Sequence, residues 1–435
     1  GGNLNGVYAP WMILVWASKW SGQYQDPLMR AGSLGMLVSG VGMMALMVIR
    51  LISSNSAKGN AFLHGSARWG ERKDIESAGL LADDGVYVGA WLDKRNKLHY
   101  LRHNGPEHIL TFAPTRSGKG VGIVIPNLLS YPDSVVVLDI KQENFELTSG
   151  WRASQDHDVH LFNPFAEDHR SSRWNPLHYV ADDVFRISDV MSLAEILYPD
   201  GTSDQKFWVS QARNAFVAFA MYLFEKRDFQ KTKGLCNDAI HEPTLGAIYR
   251  LSSGSGDELK PYLQKLASAH FLGAETKNAF ANLLSQEERT FASIMGSFRE
   301  PLNIFINPVL DAATSGNDFL LTNLRKHKTT IYIGIQPNKL AESRIIINLF
   351  FSQLTKLNTK ELPSQDASLK HHRLLPMDEL PALGRVDILA HAVSSHAGHH
   401  LRLPPILHSP SHPEASYGPP PTRPSPAPRR SSTTP

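Results

Sequence analysis

The chain has 435 residues, 42% of them hydrophobic and 20% charged, a composition that folds and excludes disorder throughout. Its length is about three times that of a usual domain, which predicts two or three units rather than one. A formal net charge of +3 does not by itself mark a nucleic-acid protein, and a single cysteine, Cys236, excludes an internal disulfide and a multi-cysteine metal site.

The chain opens at Gly1 rather than a methionine and without a basic leader, so truncation at the N-terminus is the expectation. The apolar run over residues 7–16 is too short to span a bilayer and contains Pro10. With Trp11, Trp16 and Trp20 it predicts an interfacial or extracytoplasmic segment over residues 1–30. No charge falls between Arg30 and Arg50. A helix of that length rises about 28 Å against a hydrocarbon thickness of about 30 Å, which predicts one membrane crossing over residues 31–52. Glycines Gly32, Gly35, Gly40 and Gly42 suit close packing of membrane helices. Arg50, Lys58, Arg68, Arg72 and Lys73 lie after the span while only Lys19 and Arg30 precede it, so the positive-inside rule places the downstream chain in the cytoplasm.

Residues 53–183 predict the first part of a nucleotide-binding domain. A strand over 108–112 leads into Ala113-Pro114-Thr115-Arg116-Ser117-Gly118-Lys119-Gly120 and then an apolar helical stretch. In that context backbone N–H groups turn inward toward phosphate oxygens, the helix presents its positive end, and a lysine neutralises the β and γ phosphates. Thr115, Arg116, Ser117, Gly118, Lys119, Gly120 and Val121 are therefore the candidate nucleotide-binding residues, with Lys119 foremost. Ala113 stands where the first glycine of the pattern belongs, and Gly120 where a hydroxyl residue would reach magnesium.

The β-branched run SVVVLDI over 134–140, TTIYIGIQ over 329–336 and the run over 373–380 read as buried parallel strands. Between them, residues 184–317 show helical periodicity and predict an all-α domain. Phe207, Trp208, Phe216, Phe219 and Tyr222 share one of its helices and read as a core face. Residues 318–403 return to the nucleotide-binding domain. There Leu374-Leu375-Pro376-Met377-Asp378-Glu379 is an apolar strand ending in two acids. Asp378 would hold Mg2+ and Glu379 would polarise the water attacking the γ-phosphate of ATP. Gln336, closing its strand, is a further candidate catalytic residue, and Arg116 or Arg385 a candidate finger across a subunit boundary. His391, His396, His399 and His400 cluster without framing acids or cysteines and are not read as a metal site. Residues 404–435 form a Pro-rich, low-complexity tail. The expected fold class is α/β: a parallel-sheet P-loop NTPase with an all-α insertion and an N-terminal transmembrane helix.

LHGSARWGERKDIESAGLL from Leu63, GVYVGAW from Gly85, YLRHNGPEHILTFAPTRSGKGVG from Tyr100, WNPL from Trp174 and DELPALGR from Asp378 resemble, in that order, the TraG family of type IV secretion coupling proteins. The resemblance implies an inner-membrane ATPase whose motor domain is RecA/FtsK-like and whose bulk is cytoplasmic. It implies hexamers that use ATP and Mg2+ to link relaxase-bound DNA, or effector proteins, to the secretion channel. Three positions depart from the family pattern. Gln142 replaces the glycine of its Asp-x-Lys-Gly-Glu turn, Pro376 interrupts the second acidic strand, and His408 stands where a sensor glutamine is expected. Two other readings remain open at this point: a catalytically inactive remnant of such a protein that still binds partners, and a DNA translocase of the FtsK kind.

Overall fold

The computed structural model describes residues 11–20, 22–23, 25–56, 70–112, 117–234, 240–254, 256, 258–376, 401–402 and 406–407. The chain divides into two compact units, residues 1–74 and 75–435.

In the first unit, α1 (Met12–Trp20) precedes α2 (Gln25–Ser56). Within α2 the stretch Gln25–Leu51 is long and apolar enough to cross a membrane. At 1.5 Å per residue it rises about 40 Å, more than the hydrocarbon needs, so the helix starts earlier and ends later than the uncharged run alone predicts. Leu34, Met36, Leu37, Val41 and Met43 are exposed along it. An apolar surface of that extent is stable against lipid or protein rather than water. Helix α3 (Arg72–Ser77) spans the unit boundary.

The second unit begins with an antiparallel hairpin of β1 (Val86–Leu92) and β2 (Leu98–His103), whose register slips by a bulge between Tyr87 and Gly89. Its turn is closed by Asp93, whose Oδ1 accepts from the backbone of Arg95 and Lys97 at 2.8 Å each. The short strand β3 (Thr111–Phe112) comes next. After it stands an apolar helix, Gly120–Ser130, that opens as a π-turn over Gly120–Val124 and continues as α4 (Ile125–Ser130). Strand β4 (Ser134–Asp139) is buried at every residue. Helix α5 (Glu143–Ser154) and strand β5 (Asp158–Phe162) complete this part. The expected strand at 108–112 is shorter than its pattern: among the described residues, strand pairing covers its last two, Thr111 and Phe112. β5, by contrast, is a strand that the pattern did not announce.

From Arg186 to Ala313 the described chain is helical: α6 (Arg186–Leu197), α7 (Lys206–Thr232), α8 (Leu245–Ser253), α9 (Leu259–Ala267), α10 (Ala274–Leu284), α11 (Glu288–Arg299) and α12 (Pro308–Ala313). Phe216, Phe219 and Tyr222 of α7 are buried, with Phe219 stacked on Phe298 at 5.1 Å. Phe207 stays exposed at the start of the helix, before the packed face begins. The sheet resumes with β6 (Thr329–Gly334), succeeded by α13 (Leu340–Asn358), β7 (Arg373–Leu374) and β8 (Leu401–Arg402).

The sheet order is β5-β6-β4-β7-β8, with every pairing parallel, while β3 pairs in parallel with β9 (Ile406–Leu407). Because side chains alternate along a strand, β4 feeds two cores. Val135 and Val137 pack with Val124, Leu128 and Tyr131 of the helix after β3 and its exit. Val136 and Leu138 join Phe162, Ile331, Ile333 and Phe350 in a core that runs on without a break into α6–α12. The sheet is thus covered on both faces, the arrangement that parallel strands require.

The WNPL segment has a structural role. The Trp174 ring is fully buried between Phe162 (5.7 Å) and Phe350 (5.0 Å). Trp174 N–H donates to Ala313 O at 2.9 Å. Asn175 accepts from Leu177 N–H and donates to Pro243 O at 2.8 Å. These bonds tie the exit of β5 to the end of α12 and to the segment just before α8.

Candidate nucleotide site

Sequence reasoning placed the phosphate loop between β3 and the helix Gly120–Ser130. Thr115 and Arg116 lie outside the described residues; Ser117, Gly118, Lys119, Gly120 and Val121 are described. Gly118 has φ +81°, and a Cβ there would stand 3.7 Å from Val121 Cγ2. Space is therefore not what demands glycine at Gly118; the left-handed backbone is. That conformation turns the chain directly into the helix, where Lys119 already has helical dihedrals (φ −54°, ψ −41°). Gly122 N–H donates to Gly118 O at 2.7 Å, and Ile125 N–H to Gly120 O across the wider π-turn. Among the described residues, and apart from the chain neighbours and the helix's own backbone, no atom lies within 4 Å of an ideal Cβ built on Gly120 or Gly122, so these two positions of the helix entrance face open space. A left-handed glycine, a half-buried lysine and an open helix N-terminus together fit an anionic phosphate chain.

The second acidic strand is described only as far as Pro376, so Asp378, Glu379 and Arg385 lie outside the described residues, as do His408 and the histidines at 391–400. Up to that point β7 runs between β4 and β8. Regular pairing stops at Leu374, two residues before the proline. Leu375 N–H donates to Arg402 O at 3.0 Å, and Leu138 N–H to Pro376 O at 3.3 Å. Pro376 therefore keeps the acceptor half of its rung with β4 and, lacking N–H, cannot supply the donor half. That rung has one fewer bond than an aliphatic residue would give. Among the described residues no cluster of metal-ligating side chains occurs.

Gln336 comes just after β6 and is half-buried. β4 separates β6 from β7, so two inter-strand spacings, about 10 Å, lie between Gln336 and the strand that leads to Asp378.

Asp139, at the end of β4, is buried at 2% exposure, and its carboxylate accepts from Phe145 N–H (2.8 Å), Asn144 Nδ2 (3.1 Å) and Asn144 N–H (3.3 Å). Burial pushes its carboxyl up, against the pull of those hydrogen bonds. It serves as the cap that starts α5. The turn between them puts Gln142 at φ +59°, ψ +9°, a left-handed conformation. That conformation gives the physical reason for a glycine in this turn: Gln142 holds with a Cβ what glycine adopts freely.

Two features escaped sequence reasoning. Asn127, a polar residue in the run IPNLLS, is 2% exposed and bonds to the β1 backbone. Arg152, buried in α5, donates to Thr330 Oγ1, Tyr131 O and Asp133 O and to His157 Nδ1, so that α5, β4 and β6 are stitched from within.

The family described as type IV secretory system conjugative DNA transfer matches residues 68–419. The chain belongs to this family. Its relatives include the conjugal transfer protein TraG of Escherichia coli, 34% identical over 92% of this chain and 66% of the relative. Protein VirD4 of Rhizobium radiobacter is 31% identical over 80% of this chain and 49% of the relative. The chain therefore spans just under two thirds of the first and about half of the second. Two solved structures of the bacterial conjugative coupling protein TrwB share the fold with a TM-score of 0.54 each. The unbound form is 17% identical over 79% of this chain and 70% of that one. The form in complex with ADP and Mg2+ is 18% identical over 80% and 72%. The family match decides for the coupling family over the FtsK-type translocase weighed from the sequence.

Proposed function

We infer that this chain is the membrane-anchored, nucleotide-driven part of a type IV secretion coupling protein. The observation that carries the reading is the passage from Gly118 in the left-handed region through Lys119 into an open helix N-terminus. TrwB, which has this fold, is known in complex with ADP and Mg2+, which supports the same ligands here. In this reading Lys119 and the amides of Ser117–Val121, with Thr115 and Arg116, hold the phosphates of ATP. Asp378 holds Mg2+, and Glu379 orients the attacking water. Bound nucleotide supplies a phosphoanhydride whose cleavage can drive movement of a substrate. Gln336, just past the C-terminal end of β6 in the same sheet, touches the γ-phosphate or the attacking water in this reading. Relationship to TraG and VirD4 supports DNA and secretion-system proteins as partners and the inner membrane as the location, with α2 as the anchor; a relaxase as the specific partner and a homo-hexamer as the assembly are part of the same proposal.

A second reading, a partner-binding coupling protein without turnover, is favoured by two observations: Gln142 strained in a glycine conformation and Pro376 interrupting the strand that leads to Asp378. Equilibrium binding of a fluorescent ATP analogue to the full chain in detergent, beside Lys119→Ala, tests the site itself. Mg2+-dependent binding lost in the variant supports it; equal binding by both would remove Lys119 and its loop from the reading.

A further inference from the structure

We propose that Asn127 is a positioning residue for the phosphate loop: it clamps the helix Gly120–Ser130 to the β1–β2 hairpin and so fixes where Lys119 stands, a role that presupposes the nucleotide site proposed for that loop. Asn127 lies about two helical turns beyond Lys119 and is buried. Its Oδ1 accepts from Tyr87 N–H, and its Nδ2 donates to Tyr87 O, both at 2.8 Å. One side-chain amide thus makes with β1 the reciprocal pair of bonds that a neighbouring strand residue would make. The remaining Nδ2 hydrogen goes to Ile123 O, also at 2.8 Å. All the amide donors are used, and the group satisfies two chain segments at once.

The Ile123 bond falls within the π-turn. Such wide turns depend on contacts from outside the helix, and here the turn's own residues offer little hold. Gly120 has no side chain and Val121 is exposed, whereas Val124, the last residue of the turn, packs beside Val86 in the small core under the hairpin. The helix entrance is therefore held from behind, through Asn127 and Val124. The hairpin offers a fixed base for this. Arg402 Nη2 on β8 donates to Asn104 O at 3.1 Å and to Asn104 Oδ1 at 3.2 Å, and Arg102 N–H donates to Leu80 O at 2.8 Å. Released from β1, the helix can slide or turn about its axis, and a displacement of about 1 Å at a reacting group costs on the order of a hundredfold.

The test uses the full chain in detergent with two readouts: affinity for a fluorescent ATP analogue, and hydrogen exchange over residues 86–92 and 117–124. Asn127→Leu keeps the volume and removes the three bonds. Asn175→Leu is the control, since Asn175 is similarly buried and its side chain makes two hydrogen bonds, but it serves the helical stretch. The expected result is an affinity loss of about tenfold or more in Asn127→Leu, with exchange rising in both segments together, while Asn175→Leu loses comparable thermal stability and stays within about twofold of wild type in affinity. Equal affinity losses in the two variants, or unchanged exchange over 117–124 in Asn127→Leu, would overturn the role. Should Asn127→Leu fail to fold, Asn127→Asp keeps the shape and the Tyr87 N–H bond, loses both donors, and carries the same expectation. Absence of nucleotide binding by wild type would sink the nucleotide site, and the exchange data would then decide on the clamp alone.

Discussion

His157 ties the stability of the sheet to pH. It is 7% exposed, its Nδ1 accepts from Arg152 Nη2 at 3.1 Å, and it lies 3.4 Å from Thr330 Oγ1. Burial first, then the Arg152 charge and that of Lys328, push the imidazole from 6.5 down to about 3. Below pH 6.5 the unfolded chain takes up a proton at this residue, and the folded chain does not until about pH 3. The unfolded state then binds more protons, so stability is complete above pH 6.5 and falls as the pH drops through that window. Between pH 7 and pH 5 the shift corresponds to a loss of about 1–2 kcal/mol. His157→Asn retains an acceptor near the Nδ1 position and cannot be protonated. Urea unfolding of both proteins in detergent at pH 7, 6 and 5, monitored by tryptophan fluorescence, to which the buried Trp174 contributes, reads the difference directly. Groups common to both, including Asp139 with its raised pKa and Asp182, Asp318 and Asp366 with lowered ones, cancel in the comparison. The variant is expected to be less stable at pH 7 and to lose little more on acidification. Parallel pH dependences for the two proteins would exclude His157 as the source of the acid sensitivity.

Two irregular positions give further expected outcomes. Gln142→Gly relieves a left-handed side-chain-bearing residue worth about 1–2 kcal/mol, partly offset by the freer unfolded chain. A net gain of about 0.5–1 kcal/mol in urea unfolding is expected, and a loss would mean that the turn does not take the left-handed form. Gly120→Ser places a hydroxyl where open space is available and replaces a helical glycine. Stability should rise by about 0.5 kcal/mol, and the Mg2+ dependence of nucleotide affinity should steepen. An unchanged Mg2+ titration would show that this helix entrance does not face the metal.

Much of this architecture was legible because buried parallel strands are short runs rich in β-branched residues: 134–139 and 329–334 announce themselves, and the alternation within β4 fills two cores. β5 escaped because an edge strand need not be apolar. DVHLF begins with an exposed aspartate and is only half-buried before Phe162. The strand at 108–112 was overestimated: among the described residues, strand pairing covers only Thr111 and Phe112 of that run. At the candidate site, Gly118 and Lys119 could be proposed from spacing because a phosphate loop needs a left-handed residue and a cation at fixed positions, and the left-handed φ of Gly118 agrees with that proposal. Asn127 could not, since its bond to Tyr87 joins residues 40 apart and no local rule links them. The departure at Gln142 was visible in the sequence, but its physical meaning came only with the φ of +59°.

Whether the chain is a nucleotide-driven coupling protein is decided by ATP hydrolysis of the full chain in detergent, with and without DNA, beside Lys119→Ala. Mg2+-dependent turnover that DNA stimulates and that Lys119→Ala abolishes is the expected result. Hydrolysis no higher than in Lys119→Ala, from a chain that binds nucleotide and remains folded, would contradict the motor reading and leave the partner-binding one in its place.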